Sequence, residues 1–331
     1  MRIQSGNVSK PLGCKVRFEN PSQYLSFSAG SEKAIIRTFK TRDSEPGVIL
    51  KGSPTGGSGE KALASEFHFL GILKSRLSEH PEARFFAPIP ITSFEYGGWH
   101  FAAETVVAGQ PLSELIFLRS RRRRFHFLRH EFSRCVEIAA SVPVILKQTT
   151  AAQKLCPDWY ELPTIVQAGI QVKNTLAAEA EKWTEQGLCA HGDFTIENVF
   201  WDARSQKVSV IDWEFPMSGV PLLYDACTLL FSALPALALE DREASSSGDR
   251  LEAQFQAAFL GSGKWANATS RILRLIGDSL SQPISRIWEQ MLACLVIRTN
   301  YFLWRQPSLG REYSRLLQCA LLSQPSFARG N

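Results

Sequence analysis

The chain has 331 residues, which suits two packed domains better than one minimal domain. Hydrophobic residues make up 44% and charged residues 21%, so a core can form and disorder of the whole chain is excluded. The formal net charge of +5 is too small to indicate a nucleic-acid-binding protein.

The N-terminal third predicts a small sheet interrupted by one helix. Between residue 24 and about residue 107 the apolar runs are short and separated by turn residues. The expected strands are Tyr24–Ser28, Ala34–Phe39, Val48–Lys51, Ile89–Phe94 and Trp99–Val106. A helix is expected from about Glu60 to Leu77. Its apolar residues keep the 3.6-residue period of a helix face: Leu63, Phe67, Leu70 and Leu73 or Ile72.

After about residue 110, long helical patterns dominate. The exception is a pair of short strands, Val199–Asp202 and Val208–Asp212, around a turn at residues 203–206. The polar stretch Glu240–Arg250 predicts an exposed loop. The chain is therefore predicted to be α+β, with a sheet-rich N-terminal domain over residues 1–107 and a larger, mainly helical domain over residues 108–331.

The cysteines and the apolar segments favour the cytoplasm. Seven cysteines, well separated in sequence, argue against a disulfide framework or a zinc knuckle. The first twenty residues have no continuous apolar segment, so no signal peptide is expected. The stretch Leu222–Leu239 contains Asp225 and Pro235, and it predicts a buried helix or helix pair. No transmembrane segment is expected.

The strongest chemical signal begins at His191, in the sequence HGDFTIEN, and continues at Asp212 in VIDWE. In a hairpin centred near residues 204–205, Asn198 and Asp212 meet at the open end, and Asp193 can reach the same end. An amide oxygen and a carboxylate there suit a hard cation such as Mg²⁺. A second carboxylate nearby can accept or orient a hydroxyl proton.

The pattern His-x-Asp-x-x-x-x-Asn, followed by an Asp at the end of a hairpin, resembles the aminoglycoside phosphotransferase and choline kinase superfamily. The resemblance implies a protein-kinase-like two-lobe fold, with a small antiparallel-sheet N-lobe and a larger helical C-lobe. It also implies ATP (or GTP) and Mg²⁺ as cofactors, Asp193 as the catalytic aspartate, and Asn198 and Asp212 as metal ligands. Gly192 stands where protein kinases usually carry Arg, which favours a small-molecule acceptor over a protein.

The resemblance extends to the nucleotide site. In the family, a strand lysine contacts the α- and β-phosphates and pairs with a helix glutamate, which implies Lys51 and Glu66. Lys40, at the end of the preceding strand, is the alternative. The sequence AETVVAGQPL resembles the family's hinge, where the backbone near Glu104 and Val106 would meet the adenine edge.

The phosphate loop departs from the kinase pattern. No Gly-x-Gly-x-x-Gly lies between the first two predicted strands, where the sequence reads Ser28-Ala29-Gly30-Ser31. Ser28, Gly30 and Ser31 are assigned near the phosphates on position alone.

The acceptor site is the least constrained part. Glu197, Trp213 and Glu214 are the expected substrate contacts, while Asp225 matches a family aspartate that braces the catalytic loop, with His191 as further support. The segment from Gly219 to Asn331 holds nine acidic and eleven basic residues, a balance that disfavours a polycationic aminoglycoside. Several aromatic residues could stack on a sugar or fill the core: Trp213, Trp265, Trp288, Tyr301 and Trp304.

The run Arg119–Arg124, with Arg129 close behind, is the most basic stretch. It predicts either a solvated helix face or loop, or a surface for an anionic partner such as an acidic lipid headgroup. One such cluster does not make a nucleic-acid-binding protein, so no nucleic-acid partner is expected.

The sequence therefore predicts an ATP- and Mg²⁺-dependent O-phosphotransferase acting on a small hydroxylated metabolite, such as a sugar, an amino alcohol or an aminoglycoside. A catalytically silent kinase-like module that binds nucleotide or a partner is the alternative, because the glycine loop is missing. A third hypothesis, a membrane- or nucleic-acid-associated binding protein, depends on the arginine run alone.

Overall fold

The structure, a computed structural model, describes residues 8–9, 15–16, 23–27, 34–39, 46–117, 121–147, 153–154, 170–238 and 247–323. The chain divides into two compact units. Unit 1 comprises Met1–Pro81, Phe86–Ala108 and Ser209–Glu214, and unit 2 comprises Glu82–Phe85, Gly109–Val208 and Phe215–Asn331. No helix within the described ranges has both the length and the apolar character needed to cross a membrane.

Unit 1 is built on a five-stranded antiparallel sheet of order β3-β4-β5-β8-β7. Its strands are β3 (Gln23–Phe27), β4 (Ala34–Phe39), β5 (Pro46–Pro54), β7 (Pro90–Tyr96) and β8 (Trp99–Thr105). Short strands are β1 (Val8–Ser9) and β2 (Lys15–Val16), and the two residues of β6 (Phe85–Phe86) fall one in each unit. Along β4, Ala34, Ile36 and Thr38 are buried while Arg37 is exposed, which is the two-residue alternation of a strand with one face on the core.

Strand β5 is longer than the predicted Val48–Lys51. Gly52, Ser53 and Pro54 continue its pairing with β8 although their composition indicates a turn. A Cβ atom at Gly52 would lie 2.6 Å from Cε1 of Phe101, so the missing side chain makes room for that buried ring. The packing of Phe101 therefore accounts for strand residues at positions where the local composition predicts a turn.

Helix α1 (Ser58–Glu79) packs on β5 and β8. The predicted buried face is partly wrong, because Phe67 and Ile72 are only half-buried. Glu66 and Phe69 are buried in addition to the apolar residues Leu63, Leu70 and Leu73. A carboxylate on the buried face breaks the simple apolar pattern, and its position follows from the ion pair described below.

Unit 2 is mainly helical. Its helices are α2 (Leu112–Phe117), α3 (Arg121–Arg129), α4 (Glu131–Ile145), α5 (Ile170–Gln186), α6 (Tyr224–Ala238), α7 (Ser247–Phe255), α8 (Lys264–Leu280), α9 (Ile284–Arg305) and α10 (Pro307–Leu322), with a π-helical segment at Gln256–Leu260. Helix α4 packs on α6, and α9 packs on α10. The predicted buried helix is α6. The predicted loop Glu240–Arg250 is wrong at residues 247–250, which begin α7, and residues 240–246 lie outside the described ranges.

Short strands frame the helices: β9 (Gln110–Pro111), β10 (Gln153–Lys154), β11 (Cys189–Ala190), β12 (Val199–Asp202), β13 (Lys207–Val210) and β14 (Met217–Ser218). The predicted turn lies between β12 and β13, where Asp202 accepts the Arg204 N–H and the Ser205 hydroxyl. Strand β13 ends at Val210 rather than Asp212, whose backbone is left-handed with φ 65°. The predicted α+β class, with an antiparallel sheet first and mostly helices after it, is confirmed.

Candidate active site

The loop between β11 and β12 is held in a conformation that only glycine permits at its second position. Gly192 has φ 90°, and a Cβ atom there would lie 1.9 Å from the Phe215 carbonyl oxygen. His191 is buried, and its Nδ1 accepts the Asp193 N–H at 3.2 Å. The loop therefore carries Asp193 on a tightly constrained backbone.

Asp225, in the first turn of α6, anchors this loop. Its carboxylate accepts the backbone N–H groups of His191 at 2.9 Å and Gly192 at 3.4 Å. Burial raises the pKa of Asp225 to about 7, and these two hydrogen bonds oppose the rise. These contacts are the ones expected of an aspartate that braces the loop.

Asn198 closes the same loop on Asp193. Its Nδ2 donates to the Asp193 carbonyl oxygen at 3.0 Å and to Oδ2 of the Asp193 carboxylate at 3.2 Å. The amide oxygen of Asn198 takes no hydrogen bond from the described residues. The Asp193 side chain remains 34% exposed, so a reactant can reach its carboxylate.

Arg298, on α9, is a neighbour of Asp193 that the sequence patterns missed. Its Nη2 lies 3.9 Å from the Asp193 carboxylate, and the side chain is only 3% exposed. Nε donates to the Tyr313 hydroxyl and Nη1 to the Thr228 hydroxyl, both at 3.3 Å. The residue belongs to no local motif, and only the packing of α9 brings it to the loop.

Unit 1 contains the predicted ion pair between β5 and α1, with an additional carboxylate. Lys51 Nζ lies 2.6 Å from Glu66 and 3.2 Å from Glu104, and all three side chains are buried. Burial alone would lower the pKa of Lys51, but the charges of Glu66 and Glu104 raise it overall. Lys51 is therefore a buried, protonated ammonium group.

Glu104 has a side-chain contact in addition to the hinge role that was predicted for its backbone. Its side chain contacts Lys51, and burial raises its pKa to about 7 against the lowering effect of the lysine. In the β5–β8 register, Glu104 pairs with Ile49, and Ala102 pairs with Lys51. Glu104 is therefore the diagonal neighbour of Lys51 on one face of the sheet, which a known register would have revealed.

Asp212 and Trp213 follow β13. Asp212 is half-buried, and its negative charge contributes to the raised pKa values of Lys51 and Glu104. Trp213 is 0% exposed; its indole N–H donates to Val210, and its ring stacks on Phe69 at 5.7 Å. The expected substrate contact at Trp213 is therefore wrong, because its ring fills the core of unit 1.

The other predicted positions vary in their surroundings. Glu197 is exposed, whereas Glu214 and Val106 are half-buried. Among the aromatic residues, Trp265 is buried, while Trp288 and Tyr301 are half-buried. Ser28, Gly30, Ser31, Lys40 and Arg119 lie outside the described residues. The anionic-surface hypothesis for Arg119–Arg124 stays a prediction.

The residues around Asp193 and those around Lys51 offer different kinds of ligand. Unit 2 presents a reachable carboxylate with an amide oxygen beside it, and unit 1 presents a buried ammonium. Carboxylate and amide oxygens are ligands that Mg²⁺ takes, and a buried ammonium suits an anion such as a phosphate.

Comparison with known proteins identifies one family model that matches the chain, the phosphotransferase enzyme family (APH), over residues 29–260. No curated protein sequence matches. Solved structures with similar folds include the aminoglycoside phosphotransferase APH(3'')-Id of Streptomyces rimosus, at 15% identity and a TM-score of 0.42, covering 79% of this chain and 93% of that one. They also include an aminoglycoside-3'-phosphotransferase of type VIII, at 16% identity, a TM-score of 0.41, and coverage of 92% and 95%. The GDP and kanamycin complex of APH(2")-IIia matches at 11% identity and a TM-score of 0.45, covering 92% and 94%.

Proposed function

The chain belongs to the phosphotransferase enzyme family and is a small-molecule phosphotransferase, and on that premise we propose that it transfers the γ-phosphate of ATP, with Mg²⁺, to a hydroxyl group of a small metabolite. GTP is a possible alternative donor. The observation that carries the proposal is the reachable carboxylate of Asp193. Asn198 donates one hydrogen bond to this carboxylate and one to the Asp193 backbone carbonyl, in a loop braced by Asp225. A partly exposed carboxylate that is oriented by a hydrogen bond is the arrangement that a general base requires.

Asp193 is proposed to orient the acceptor hydroxyl and take its proton. The hydrogen bond from Asn198 to Oδ2 orients the carboxylate, which reduces the reorganisation needed when the alcohol arrives. In phosphoryl transfer most of the acceleration comes from such positioning and from charge neutralisation. Asp193 therefore acts as a positioned base and not as a covalent nucleophile.

The nucleotide is proposed to bind in unit 1, with the Lys51 ammonium donating to its phosphates. Glu66 pairs with that ammonium at 2.6 Å and accepts a hydrogen bond from the backbone N–H of Trp213 at 3.1 Å. This second contact connects α1 to the segment that bears Asp212. The backbone near Glu104 and Val106 is the proposed contact for the base. Ser28, Gly30 and Ser31 stay assigned to the phosphates on sequence position.

The residues present fit a magnesium ion. The free amide oxygen of Asn198 and the carboxylate of Asp212 are hard oxygen donors, and a magnesium site that binds nucleotide needs only one or two of these from the protein. When bound, the ion neutralises phosphate charge. The left-handed backbone of Asp212, with φ 65°, is the kind of local strain that is concentrated at functional sites.

The test is nucleotide consumption by the purified full chain with Mg²⁺, measured against sugars, amino alcohols, hydroxy acids and aminoglycosides. With the best acceptor, Asp193→Asn is expected to lower kcat about 10²–10⁴-fold, because a positioned base is lost. Its nucleotide affinity should stay close to that of the wild type. Asp278→Asn, an exposed change on α8, is the control. Wild-type turnover by Asp193→Asn would contradict the assignment.

A catalytically silent nucleotide-binding module is the second candidate, favoured by the absence of a Gly-x-Gly-x-x-Gly sequence near Gly30. It predicts nucleotide binding without turnover on any acceptor. The set of Asp193, Asn198 and Asp212 favours the enzyme, since binding alone does not need a reachable base.

A further inference from the structure

One face of helix α9 is directed at the catalytic loop. Arg298, Tyr301 and Arg305 are spaced at i, i+3 and i+7, so they lie on the same side of the helix. The guanidinium of Arg298 lies 3.9 Å from the Asp193 carboxylate. At 1.5 Å per residue, Arg305 is about 10 Å further along the axis. That distance matches the length of a small metabolite.

Arg305 presents its charge at the surface. Its guanidinium lies 4.1 Å from the centre of the Phe215 ring and 5.5 Å from that of Tyr301, and it donates to the Tyr301 hydroxyl. Within the described parts of the chain, no carboxylate lies within ion-pair distance of Arg305. The two rings fix the guanidinium plane, and most of its N–H donors remain available.

The same aromatic residues border the loop that carries Asp193. The Phe215 carbonyl oxygen abuts Gly192, which leaves no room for a side chain there. Tyr301 is close enough for the charge of Asp193, together with burial, to raise the pKa of its hydroxyl. Arg305 therefore stands at the far end of a surface that begins at the proposed base.

The charged residues of α9 differ in whether an oppositely charged residue lies nearby. Arg298 is buried beside Asp193, and its charge also acts on Asp225, so it serves as a counter-ion for those acids. Glu289, the one carboxylate on α9, pairs with Arg286 at 2.6 Å. Arg305 is thus a cation with no acidic partner among the described residues, next to an acceptor site where a polycation would be repelled.

We propose that Arg305 binds an anionic group of the acceptor, and that the substrate is a hydroxylated metabolite carrying a carboxylate or a phosphate. The inference rests on the proposed function. A guanidinium with a fixed plane binds either anion in a bidentate manner, and the roughly 10 Å from Arg298 would place the acceptor hydroxyl at Asp193. The acceptor is then held at both ends.

A structural role for Arg305 makes a different prediction. A cation near the C-terminus of a helix, packed on two rings, stabilises the fold through the helix dipole and the ring contacts. Loss of such a role would lower the melting temperature and leave the KM for the acceptor unchanged. The KM for the acceptor is therefore the discriminating measurement.

The experiment compares a sugar acid, a sugar phosphate, a neutral sugar and an aminoglycoside as acceptors for the full chain. With the wild type, one of the two anionic acceptors should have the highest kcat/KM. Arg305→Gln should raise the KM for that acceptor about 10-fold or more, while kcat and the KM for nucleotide change little. The reason is that the lost charge-assisted contact stabilises the bound substrate and the transition state equally. Arg305→Lys should be intermediate, and Arg311→Gln, an exposed change on α10, should match the wild type.

A second measurement needs no variant. Malonate, a dicarboxylate without a hydroxyl group, should inhibit the wild type competitively against the acceptor but not against nucleotide. A neutral or cationic best acceptor, with no effect of Arg305→Gln and no inhibition by malonate, would overturn the inference while the proposed function stands. Absence of both nucleotide binding and transfer would overturn the proposed function and this inference together.

Discussion

The Glu104 carboxylate lies 3.2 Å from the Lys51 ammonium, although Glu66 already pairs with that ammonium at 2.6 Å. One buried cation is thus the ion-pair partner of two buried carboxylates. When both acids are ionised, the cluster carries a net negative charge in a region of low dielectric, which is unfavourable. The raised pKa of Glu104, about 7, expresses that cost.

Glu104 should make the stability of the protein depend on pH. Its folded pKa of about 7 is above the ordinary 4.5, so the folded state binds the proton more tightly than the unfolded state does. The associated stability is fully present below pH 4.5 and is lost as the pH rises through 7, by about 3 kcal/mol in total. The groups facing Glu104 are Lys51 on β5, Glu66 on α1, and Asp212 after β13.

Urea unfolding between pH 5 and pH 8 tests this for the wild type and for Glu104→Gln. The free energy of unfolding of Glu104→Gln should fall less over that range, because it lacks the titrating group. Asp225, whose raised pKa has the same sign, is present in both proteins and cancels in the comparison. Glu95→Gln, an exposed change on β7, should behave like the wild type. Equal pH dependence in all three proteins would contradict the prediction.

Lys51→Met should weaken nucleotide binding and the fold together. The change leaves Glu66 and Glu104 buried without their cation, and breaking a buried pair in this way costs about 3–5 kcal/mol. The loss should be smaller at pH 5 than at pH 8, since protonation of Glu104 can relieve part of the uncompensated charge. Nucleotide affinity, measured by fluorescence titration at pH 6, should fall at least about 10-fold because the ammonium proposed to bind the phosphates is gone.

Lys40→Met is the matched control, since Lys40 is the alternative phosphate lysine. It should leave nucleotide affinity and stability unchanged. The opposite result, with binding lost in Lys40→Met and kept in Lys51→Met, would transfer the phosphate role to Lys40 and leave Lys51 as a structural residue.

A contact was easier to predict from the sequence when its residues lie close together in the chain. The loop from His191 to Asn198 is contained in one short sequence. The pairing of Lys51 with Glu66 was implied by the family resemblance, which places such a pair on a strand and the helix after it. Trp213 was expected to stack on a substrate or to fill the core, and it packs on Phe69, far away in sequence.

Two further residues depended on long-range packing. Glu104 reaches Lys51 because of the β5–β8 register, which composition does not determine. Arg298 reaches Asp193 only because α9 packs in unit 2, and no spacing rule connects residues so far apart in the chain. The sequence therefore brought together the residues of the loop more readily than the residues that surround it.

Arg298 should affect both stability and turnover. Arg298→Met keeps an apolar stem against the rings of Phe302 and Tyr313 but removes the charge beside Asp193 and Asp225. We expect the free energy of unfolding to fall by about 3 kcal/mol, since the buried Asp225 loses a counter-ion. We also expect kcat to fall, because the Asp193 carboxylate loses the positive charge of the buried guanidinium that lies 3.9 Å away.

Arg298→Lys retains the charge without the planar fork and should recover part of both losses. Thr228→Val, which removes only one hydrogen-bond acceptor of Arg298, should cost much less than Arg298→Met. Chemical denaturation and steady-state kinetics provide the two measurements. A kcat of Arg298→Met equal to that of the wild type would show that Arg298 has a purely structural role.

Gly192→Ala tests whether the backbone of the catalytic loop is as constrained as its contacts indicate. Two penalties coincide at this position: φ is 90°, which disfavours any side chain, and the added Cβ would lie 1.9 Å from the Phe215 carbonyl oxygen. Because the obstacle is backbone, the loop itself must move, and this would stretch the hydrogen bonds from His191 and Gly192 to Asp225. We expect a loss of more than about 2 kcal/mol in the free energy of unfolding and a large loss of kcat.

Gly97→Ala separates the two penalties. Gly97 also has positive φ, 59°, but nothing lies within 4 Å of a Cβ atom there, so only the conformational cost of about 1 kcal/mol applies. Gly97→Ala should therefore keep wild-type kcat with a small loss of stability, measured by the same urea titration. If both alanine variants lost the same stability and both kept full turnover, the close contact of Gly192 with Phe215 would not constrain Asp193, and the preorganised loop proposed for proton transfer would have to be abandoned.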